Sequence, residues 1–191
     1  MNSEYSSKTV NNNLQVGFVG RIDIKTKGLD ILLEGLRKFI YAYGPIIELN
    51  IVGDGKDMKL LKKLIQEKKL ENCVNLKGAL YGDDKFNEIK RWDYLCLTSR
   101  NEGMPGAVLE ALGTGVPCIV SNATNMGRYI DQAQAGFRLK HNNPKSIERT
   151  LFEAFENKHS GHYSRLSKNA IKLIQSEFNW NTISDRLISN T

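Results

Sequence analysis

Glu102 and Glu110 are the residues whose type and spacing most clearly suggest chemistry. Seven residues separate them, including Gly103, Pro105 and Gly106. These predict a tight turn near Gly103 and a helix that begins at Pro105. Proline suits the first turn of a helix, because an N–H at that position has no intrahelical acceptor. The unpaired amides at such a helix start, together with the positive end of the helix dipole, attract an anion, typically a phosphate.

The two carboxylates need a different partner on the same ligand, because acids repel a phosphate. An ionised carboxylate only accepts hydrogen bonds, and a sugar has many hydroxyl groups that donate them. Glu102 precedes the predicted helix and Glu110 lies in its second turn, so both can face one ligand. Two solvated glutamates on a helix surface are the plain alternative. The glycines and the proline between them, and the strand-like run at 116–120, favour a binding site.

Strand-like and helix-like segments alternate along the chain and must position these residues. Short apolar strands between helices are typical of a parallel sheet covered on both faces. We therefore predict an α/β fold, a single Rossmann-like three-layer domain with about six strands and helices on both faces. The predicted strands are 14–20, 46–55, 73–78, 93–99, 116–121 and 136–140, and the main predicted helices are 27–44, 57–70, 83–90, 144–158 and 162–176, besides the helix from Pro105.

Ligands of such sheets bind at the carboxyl ends of the strands. Gly20, Gly53 and Gly78 all fall at predicted strand ends, so they should gather along one edge with the turn at Gly103. Arg21 follows the first strand and Lys27 starts the next predicted helix. A planar guanidinium and a mobile ammonium both suit a diphosphate. With 27 Lys and Arg in the chain, two ordinary surface cations are the alternative.

Composition excludes several classes of protein. The 191 residues are 40% hydrophobic and 25% charged, which fits one globular domain. No stretch approaches the ~20 apolar residues of a membrane span, and no signal peptide is evident. Three cysteines without metal-ligand spacing favour reduced core thiols in a cytosolic protein. His159 and His162 form an isolated pair, too few ligands for zinc.

The formal net charge of +6 is compatible with nucleic acid, an anionic membrane or phosphorylated substrates. The lysines are spread over several helices and do not alternate with aromatic residues, which disfavours nucleic-acid recognition. The G-x-G-x-x-G fingerprint is absent, because Met58 stands where its last glycine would be needed after Gly53 and Gly55. The P-loop pattern G-x-x-x-x-G-K-[ST] is absent as well. No D-x-D pair for a divalent ion is present. We therefore expect no metal and no cofactor beyond the substrate.

Four motifs occur in the chain in this order: V-G-F-V-G-R-I, the K-G that follows it, V-G-D-G, and S-x-x-E-G-M-P-G-x-V-L-E-A-x-x-x-G-V-P. Together they resemble the carboxyl-terminal half of the retaining glycosyltransferases of family four, also called group one. These enzymes have the GT-B architecture of two Rossmann-like domains, and the resemblance covers residue 14 to about residue 185. It implies that this part of the chain binds a nucleotide-sugar donor.

By that resemblance, Arg21, Lys27 and Glu102 are the expected catalytic residues. Arg21 and Lys27 hold the diphosphate, and Glu102 contacts the donor sugar. The backbone of 103–106 contacts the sugar and the neighbouring phosphate, Glu110 accepts hydrogen bonds from the ribose, and the loop at 78–80 lies along the nucleobase. The expected donor-binding residues are Gly20, Gly53, Gly78, Leu80, Gly103, Met104, Pro105, Gly106 and Glu110.

The chain departs from the family pattern in two ways. The family often has a glutamate in the loop after the fifth strand, where this sequence has Arg128. The amino-terminal acceptor domain of the family is missing, since only a polar tail or linker at 1–13 precedes the donor-binding domain at 14–191. We therefore expect a fragment cut near the interdomain linker or a naturally truncated gene, inactive alone. The segment after 178 resembles the terminal helix of the family.

The favoured function is donor binding by a retaining hexosyltransferase that transfers a sugar to an acceptor hydroxyl in polysaccharide biosynthesis. The resemblance implies a sugar or a lipid-linked sugar as acceptor, bound through the missing domain. It also implies a cytoplasmic protein, with a peripheral contact at the inner face of the membrane as an option. A non-catalytic module that binds a nucleotide or a sugar phosphate is the first alternative. A basic module that binds nucleic acid or a protein partner is the second.

Overall fold

The computed structural model describes residues 13–178, along which strands and helices alternate. The predicted tail up to residue 12 and the predicted terminal segment after residue 178 lie outside this range. The strands in it are β1 (Leu14–Val19), β2 (Ile47–Val52), β3 (Val74–Gly78), β4 (Tyr94–Leu97), β5 (Cys118–Val120) and β6 (Gly136–Arg138). The helices in it are α1 (Ile24–Lys27), α2 (Leu29–Tyr43), α3 (Met58–Glu67), α4 (Gly82–Ile89), α5 (Gly106–Gly113), α6 (Gly127–Ala133), α7 (Pro144–His159) and α8 (Tyr163–Glu177).

The strands form one parallel sheet in the order β3-β2-β1-β4-β5-β6. The order reverses between β1 and β4, which are neighbours in the sheet although β2 and β3 separate them in sequence. In open α/β sheets, ligands bind beyond the carboxyl ends of the strands at such a reversal. The predicted α/β, Rossmann-like fold is confirmed, and the loops after β1 and β4 become the place to look for a site.

A helix follows each strand, as the connections between parallel strands require. Helix α2 packs against α7, while α8 packs against α5 and α6. The core lies between these helices and the central strands, where Phe18, Leu95 and Ile119 are fully buried. Burial of one such side chain stabilises the fold by about 1.5–3 kcal/mol, so the central strands hold the site edge firmly.

Three details of the predicted helices differ from the structure. The predicted helix at 27–44 divides into α1 and α2 at Gly28, which has a left-handed backbone with φ of 66°. Lys27 therefore ends a short helix, and the prediction that it starts a long one was wrong. Pro105 is the N-cap of α5 and the helix begins at Gly106. The segment after β5, interpreted as a loop, forms α6 from Gly127.

Gly28, at the end of α1, packs against the residue that follows β4 at the ligand edge of the sheet. A Cβ on Gly28 would lie 2.1 Å from the carbonyl oxygen of Thr98, which follows β4. The Thr98 hydroxyl donates a hydrogen bond to the Gly28 carbonyl at 2.9 Å. Only glycine permits both this close approach and the positive φ. The end of α1 is thereby held against the end of β4.

Asp23 begins the helix that carries Lys27. Its carboxylate accepts a hydrogen bond from the Thr26 amide at 3.1 Å, as an N-cap does. Lys56 lies 3.3 Å from the same side chain. The Thr26 amide, assisted by the Lys56 ammonium, holds the pKa of the Asp23 carboxyl below its usual value despite partial desolvation. The ionised form of Asp23 is therefore the form that stabilises α1.

The three cysteines are free and buried. Cys96 and Cys118 lie in β4 and β5, whereas Cys73, predicted within a strand, lies one residue before β3. Burial raises the pKa of the Cys96 thiol to about 12, so it stays protonated and unreactive near neutral pH. Within residues 13–178, no three His, Cys, Asp or Glu side chains are grouped to hold a metal ion.

No helix within the described range has both the length and the apolar character that crossing a membrane requires.

We expect Gly28→Ala to lower the free energy of unfolding far more than Gly161→Ala. Gly161 also has a positive φ, of 78°, but a Cβ there would meet no protein atom within 4 Å. Gly161→Ala should cost about 1–2 kcal/mol of backbone strain, and Gly28→Ala should add about 1–3 kcal/mol for the clash with Thr98. Urea denaturation measures both variants, and equal losses would contradict the role given to Gly28.

We expect Asp23→Asn to destabilise the protein at neutral pH and to have less effect in acid. Asparagine caps a helix as well as aspartate does, so the substitution removes mainly the charge. Because the pKa of Asp23 is lower in the folded state, its stabilisation is present above about pH 4 and is lost as the pH falls through the folded pKa. Urea denaturation at pH 7 and pH 3 measures the difference in free energy of unfolding between the parent protein and Asp23→Asn. The same difference at both pH values would refute the prediction.

Candidate functional site

A shallow cleft of about 250 Å³ opens where the sheet order reverses. Three carboxyl-edge segments supply its walls: the end of β1, the end of β4 with its loop, and the start of α5. Helices α1 and α4 add one lysine each. The residues that line the cleft are Val19, Gly20, Lys27, Lys85, Leu97, Glu102, Pro105, Gly106, Ala107 and Glu110.

Lys27 and Glu102 form the first ion pair of the cleft. The Lys27 Nζ lies 2.5 Å from Glu102 Oε2, and the Ser99 hydroxyl donates to the same oxygen at 3.0 Å. Both charged side chains are less than one-fifth exposed. The two donors orient the Glu102 carboxylate, and Lys27 has a counter-charge in the absence of any ligand.

The backbone around Glu102 is held from the β5 side of the cleft. The Glu102 amide donates to the Ala123 carbonyl at 3.2 Å, and the Asn125 amide donates to the Gly103 carbonyl at 3.1 Å. Deeper in, the Ser121 hydroxyl donates to the Ser99 carbonyl at 2.6 Å. The loop after β4 therefore rests on the loop after β5.

Arg100 holds the same loop from the other side. Its guanidinium forms a two-point contact with the Asp30 carboxylate at 2.8 and 2.7 Å, and it also donates to the Lys25 carbonyl. The Arg100 amide donates to the Thr26 carbonyl at 2.8 Å. Although partial burial opposes ionisation of Asp30, the Arg100 guanidinium holds the pKa of that carboxyl below its usual value. Helix α1, and with it Lys27, is thus fastened to the loop of Glu102.

Helix α5 contributes its first amides and Glu110. Pro105 has an extended backbone as N-cap, and Gly106 and Ala107 then line the cleft, where their N–H groups precede the first intrahelical bonds. A Cβ on Gly103 or Gly106 would meet no protein atom within 4 Å, and neither residue has a positive φ. Packing within the protein does not explain glycine at either position.

Lys85 was missed by the sequence reasoning. It comes from α4, and its Nζ lies 2.7 Å from Glu110 Oε1, with both side chains less than one-third exposed. Lys85 is one lysine among many on polar helices, and no local pattern marks it. Only the folded structure shows that it shares the cleft with Glu110.

The structure brings together part of the predicted set. Lys27, Glu102 and Glu110 share the cleft with three predicted glycine and proline positions, Gly20, Pro105 and Gly106. The remaining predicted residues, Arg21, Gly53, Gly78, Leu80, Gly103 and Met104, do not line this cleft, and their proposed roles stay predictions.

Of these outlying residues, the structure places Gly53 and Gly78 beside Gly20 at the site edge. Arg21 is exposed and forms no ion pair with any described carboxylate. The Gly53 amide donates to the Gly78 carbonyl at 2.8 Å, and a Cβ on Gly53 would lie 1.9 Å from the Gly20 carbonyl oxygen. The three strand-end glycines therefore lie side by side next to the cleft, as expected.

Comparison with known proteins identifies the family. The family model of the group 1 glycosyl transferases matches residues 3–173. The chain is 35% identical over 125 residues to the UDP-Gal:alpha-D-GlcNAc-diphosphoundecaprenol alpha-1,3-galactosyltransferase of Escherichia coli, covering 63% of this chain and 31% of that protein. The chain spans less than half the length of the first curated relatives that it matches.

Solved structures show the same fold at low sequence identity. A variant of TarM from S. aureus, in complex with fondaparinux, alpha-GlcNAc-glycerol and UDP, matches with a TM-score of 0.82 at 20% identity, over 93% of this chain and 35% of that one. The C-terminal domain of LpcC, a group 1 glycosyl transferase from Francisella tularensis, matches with a TM-score of 0.74 at 20% identity, over 87% of each chain. Because the family model spans most of its length, the chain belongs to the group 1 glycosyltransferases and contains a Rossmann-like domain of the GT-B type.

Proposed function

We propose that this domain binds a nucleotide-diphosphate sugar as the donor part of a retaining glycosyltransferase. The observation that carries the proposal is the meeting of Lys27, Glu102, Glu110 and the first amides of α5 in one cleft at the reversal of strand order. Family membership supports a glycosyltransferase. Retention and the nature of the acceptor rest on the family resemblance alone.

The diphosphate is proposed to lie between Lys27 and the start of α5. Binding would transfer the Lys27 ammonium from Glu102 to a phosphate oxygen, since a diphosphate carries more negative charge than a single carboxylate. The amides of Gly106 and Ala107 would donate to the diphosphate, as at other helix N-termini. The open space beside Gly103 and Gly106 supports close approach of the ligand. Arg21, which lies outside the cleft lining, is proposed as a second cation that binds the diphosphate.

The two glutamates are proposed to accept hydrogen bonds from hydroxyl groups on either side of the diphosphate. Glu102, released by Lys27 but still held by Ser99, would accept hydrogen bonds from the transferred sugar. Glu110 would accept hydrogen bonds from the ribose. Lys85 would position Glu110 by holding one carboxylate oxygen and leaving the other for the ribose. Lys85 is therefore proposed as a positioning residue.

The proposed reaction breaks the bond between the sugar and the diphosphate. The sugar develops oxocarbenium character, and the diphosphate gains negative charge as it leaves. Lys27 and the amides of α5 would stabilise that charge more in the transition state than in the ground state, which lowers the barrier. The acceptor, a sugar or a lipid-linked sugar, is proposed to bind through a second domain of the GT-B architecture, which would also supply any base.

UDP is the probe for these proposals, because the E. coli relative is named for a UDP-sugar and the TarM complex contains UDP. We also propose that donor binding needs no metal ion and that the protein is cytoplasmic, with contact at the inner face of the membrane as an option. Titrating UDP with and without EDTA tests the first proposal, and fractionating the source cells tests the second.

We expect Lys27→Met to weaken UDP binding by about tenfold or more, because one charge-assisted hydrogen bond contributes roughly 1.5–3 kcal/mol. Titration calorimetry measures the dissociation constant. Lys25→Met is the matched control, since Lys25 lies in the same short helix but is exposed and outside the cleft. If both variants bind UDP as the parent protein does, the diphosphate assignment fails.

We expect the parent protein to bind UDP about tenfold or more tightly than 2′,3′-dideoxy-UDP, and this ratio to collapse in Glu110→Gln. Lys85→Met should also reduce the ratio, because Glu110 loses its fixed orientation, while Lys85→Arg should restore part of it. The same calorimetric titrations give both constants. A ratio unchanged in Glu110→Gln would remove Glu110 from the ribose, and a ratio unchanged only in Lys85→Met would remove the positioning role.

A further inference from the structure

A second concave surface lies away from the donor cleft, where α2 and α7 meet the end of β6. Its volume is about 540 Å³, and none of its lining residues lines the cleft of Lys27 and Glu102. We name it the basic groove and define it by its charged residues. These are Lys38 on α2, Arg138 in β6, Lys140 after β6, and Lys145, Arg149 and Glu153 on α7.

The charges of the basic groove are largely unbalanced. Arg138 is paired with Asp131 at 2.7 Å. Lys38, Lys140, Lys145 and Arg149 form no ion pair with any described carboxylate, although Glu153 lies in the same groove. Cations held close together repel one another, and a concave surface focuses their field. The basic groove is therefore a region of positive potential that a multivalent anion would stabilise.

The basic residue next to Lys38 on α2 is paired. Arg37 stands beside Lys38 in sequence and lies 2.6 Å from the Glu34 carboxylate. Lys68 reaches the same carboxylate at 2.7 Å from beyond α3. The side chains of Arg37 and Lys68 lower the pKa of the Glu34 carboxyl to about 2, against the effect of partial burial. Lys38, which lines the basic groove, forms no such pair with any described carboxylate.

The walls between the cations suit an organic ligand. The half-buried Phe137 and Pro144 offer apolar surface, and the Ser146 hydroxyl also faces the groove. The volume lies within the 300–1,000 Å³ typical of small-molecule sites. The Arg149 guanidinium presents the planar fork that matches a phosphate, and lysines add mobile point charges. The combination fits a sugar-sized body with several anionic oxygens.

We propose that the basic groove binds a small carbohydrate-like ligand that carries at least two phosphate groups. Two phosphates can neutralise the four unpaired cations, whereas a single phosphate leaves part of their repulsion. The same phosphate chemistry occurs in soluble sugar phosphates and in phosphorylated lipid headgroups. The basic groove is separate from the donor cleft, and this proposal does not depend on the function proposed for the donor cleft.

The test uses fructose 1,6-bisphosphate as a soluble probe and vesicles with 10% phosphatidylinositol 4,5-bisphosphate as the lipid probe. Calorimetry and vesicle co-sedimentation measure binding to the parent protein and to Lys145→Glu/Arg149→Glu. The control, Lys59→Glu/Lys62→Glu, changes net charge equally at exposed lysines of α3 outside the groove. Lys145→Gln/Arg149→Gln serves as a second groove variant, and circular dichroism checks the folding of each.

We expect the groove variants to weaken binding of at least one probe about tenfold or more and the control to change it less than threefold. Loss with the soluble probe identifies a free sugar phosphate, and loss with vesicles alone identifies a lipid headgroup. No binding, or equal losses in groove and control variants, would overturn the proposal. Affinity for UDP should be the same in parent and groove variants, and Lys27→Met should retain the bisphosphate, which separates this result from any failure at the donor cleft.

Discussion

The close contact between Gly28 and the Thr98 carbonyl is the constraint on which the candidate site depends. It brings the helix that carries Lys27 against the end of β4, and the loop after β4 carries Glu102. Arg100 and Asp30 fasten the same two segments from outside. Holding both backbones stabilises the 2.5 Å pair, because it lowers the conformational entropy that two long side chains lose when they form one geometry.

The cleft and the basic groove show two ways of treating charge in one small domain. In the cleft each acid has its own lysine, Glu102 with Lys27 and Glu110 with Lys85. In the basic groove, cations on α2, β6 and α7 face a single carboxylate. Paired charges keep side chains oriented before a ligand arrives, whereas unpaired charges raise the attraction for an anion at the cost of mutual repulsion.

Much of the fold could be predicted from sequence, because strand and helix periodicities differ and alternate. The site edge followed from the ends of parallel strands, which placed Lys27, Glu102 and Glu110 together. The left-handed backbone at Gly28 was missed, because it is required by the approach of the Thr98 carbonyl, a contact between segments distant in sequence. Lys85 and the basic groove arise from contacts between distant helices, for which single positions give no signal.

The paired arrangement of the cleft bears on how a spent ligand would leave. Two lysines and two glutamates sum to no net charge within the cleft lining. Cleavage of a nucleotide sugar exposes an additional negative charge on the diphosphate that stays behind. Lys27 and the first amides of α5, which would stabilise this charge, would also bind the product, but Glu102 stays beside Lys27 and can reclaim its ammonium. Such a cleft is suited to turnover, because Glu102 in the empty state competes with the product for the same ammonium group.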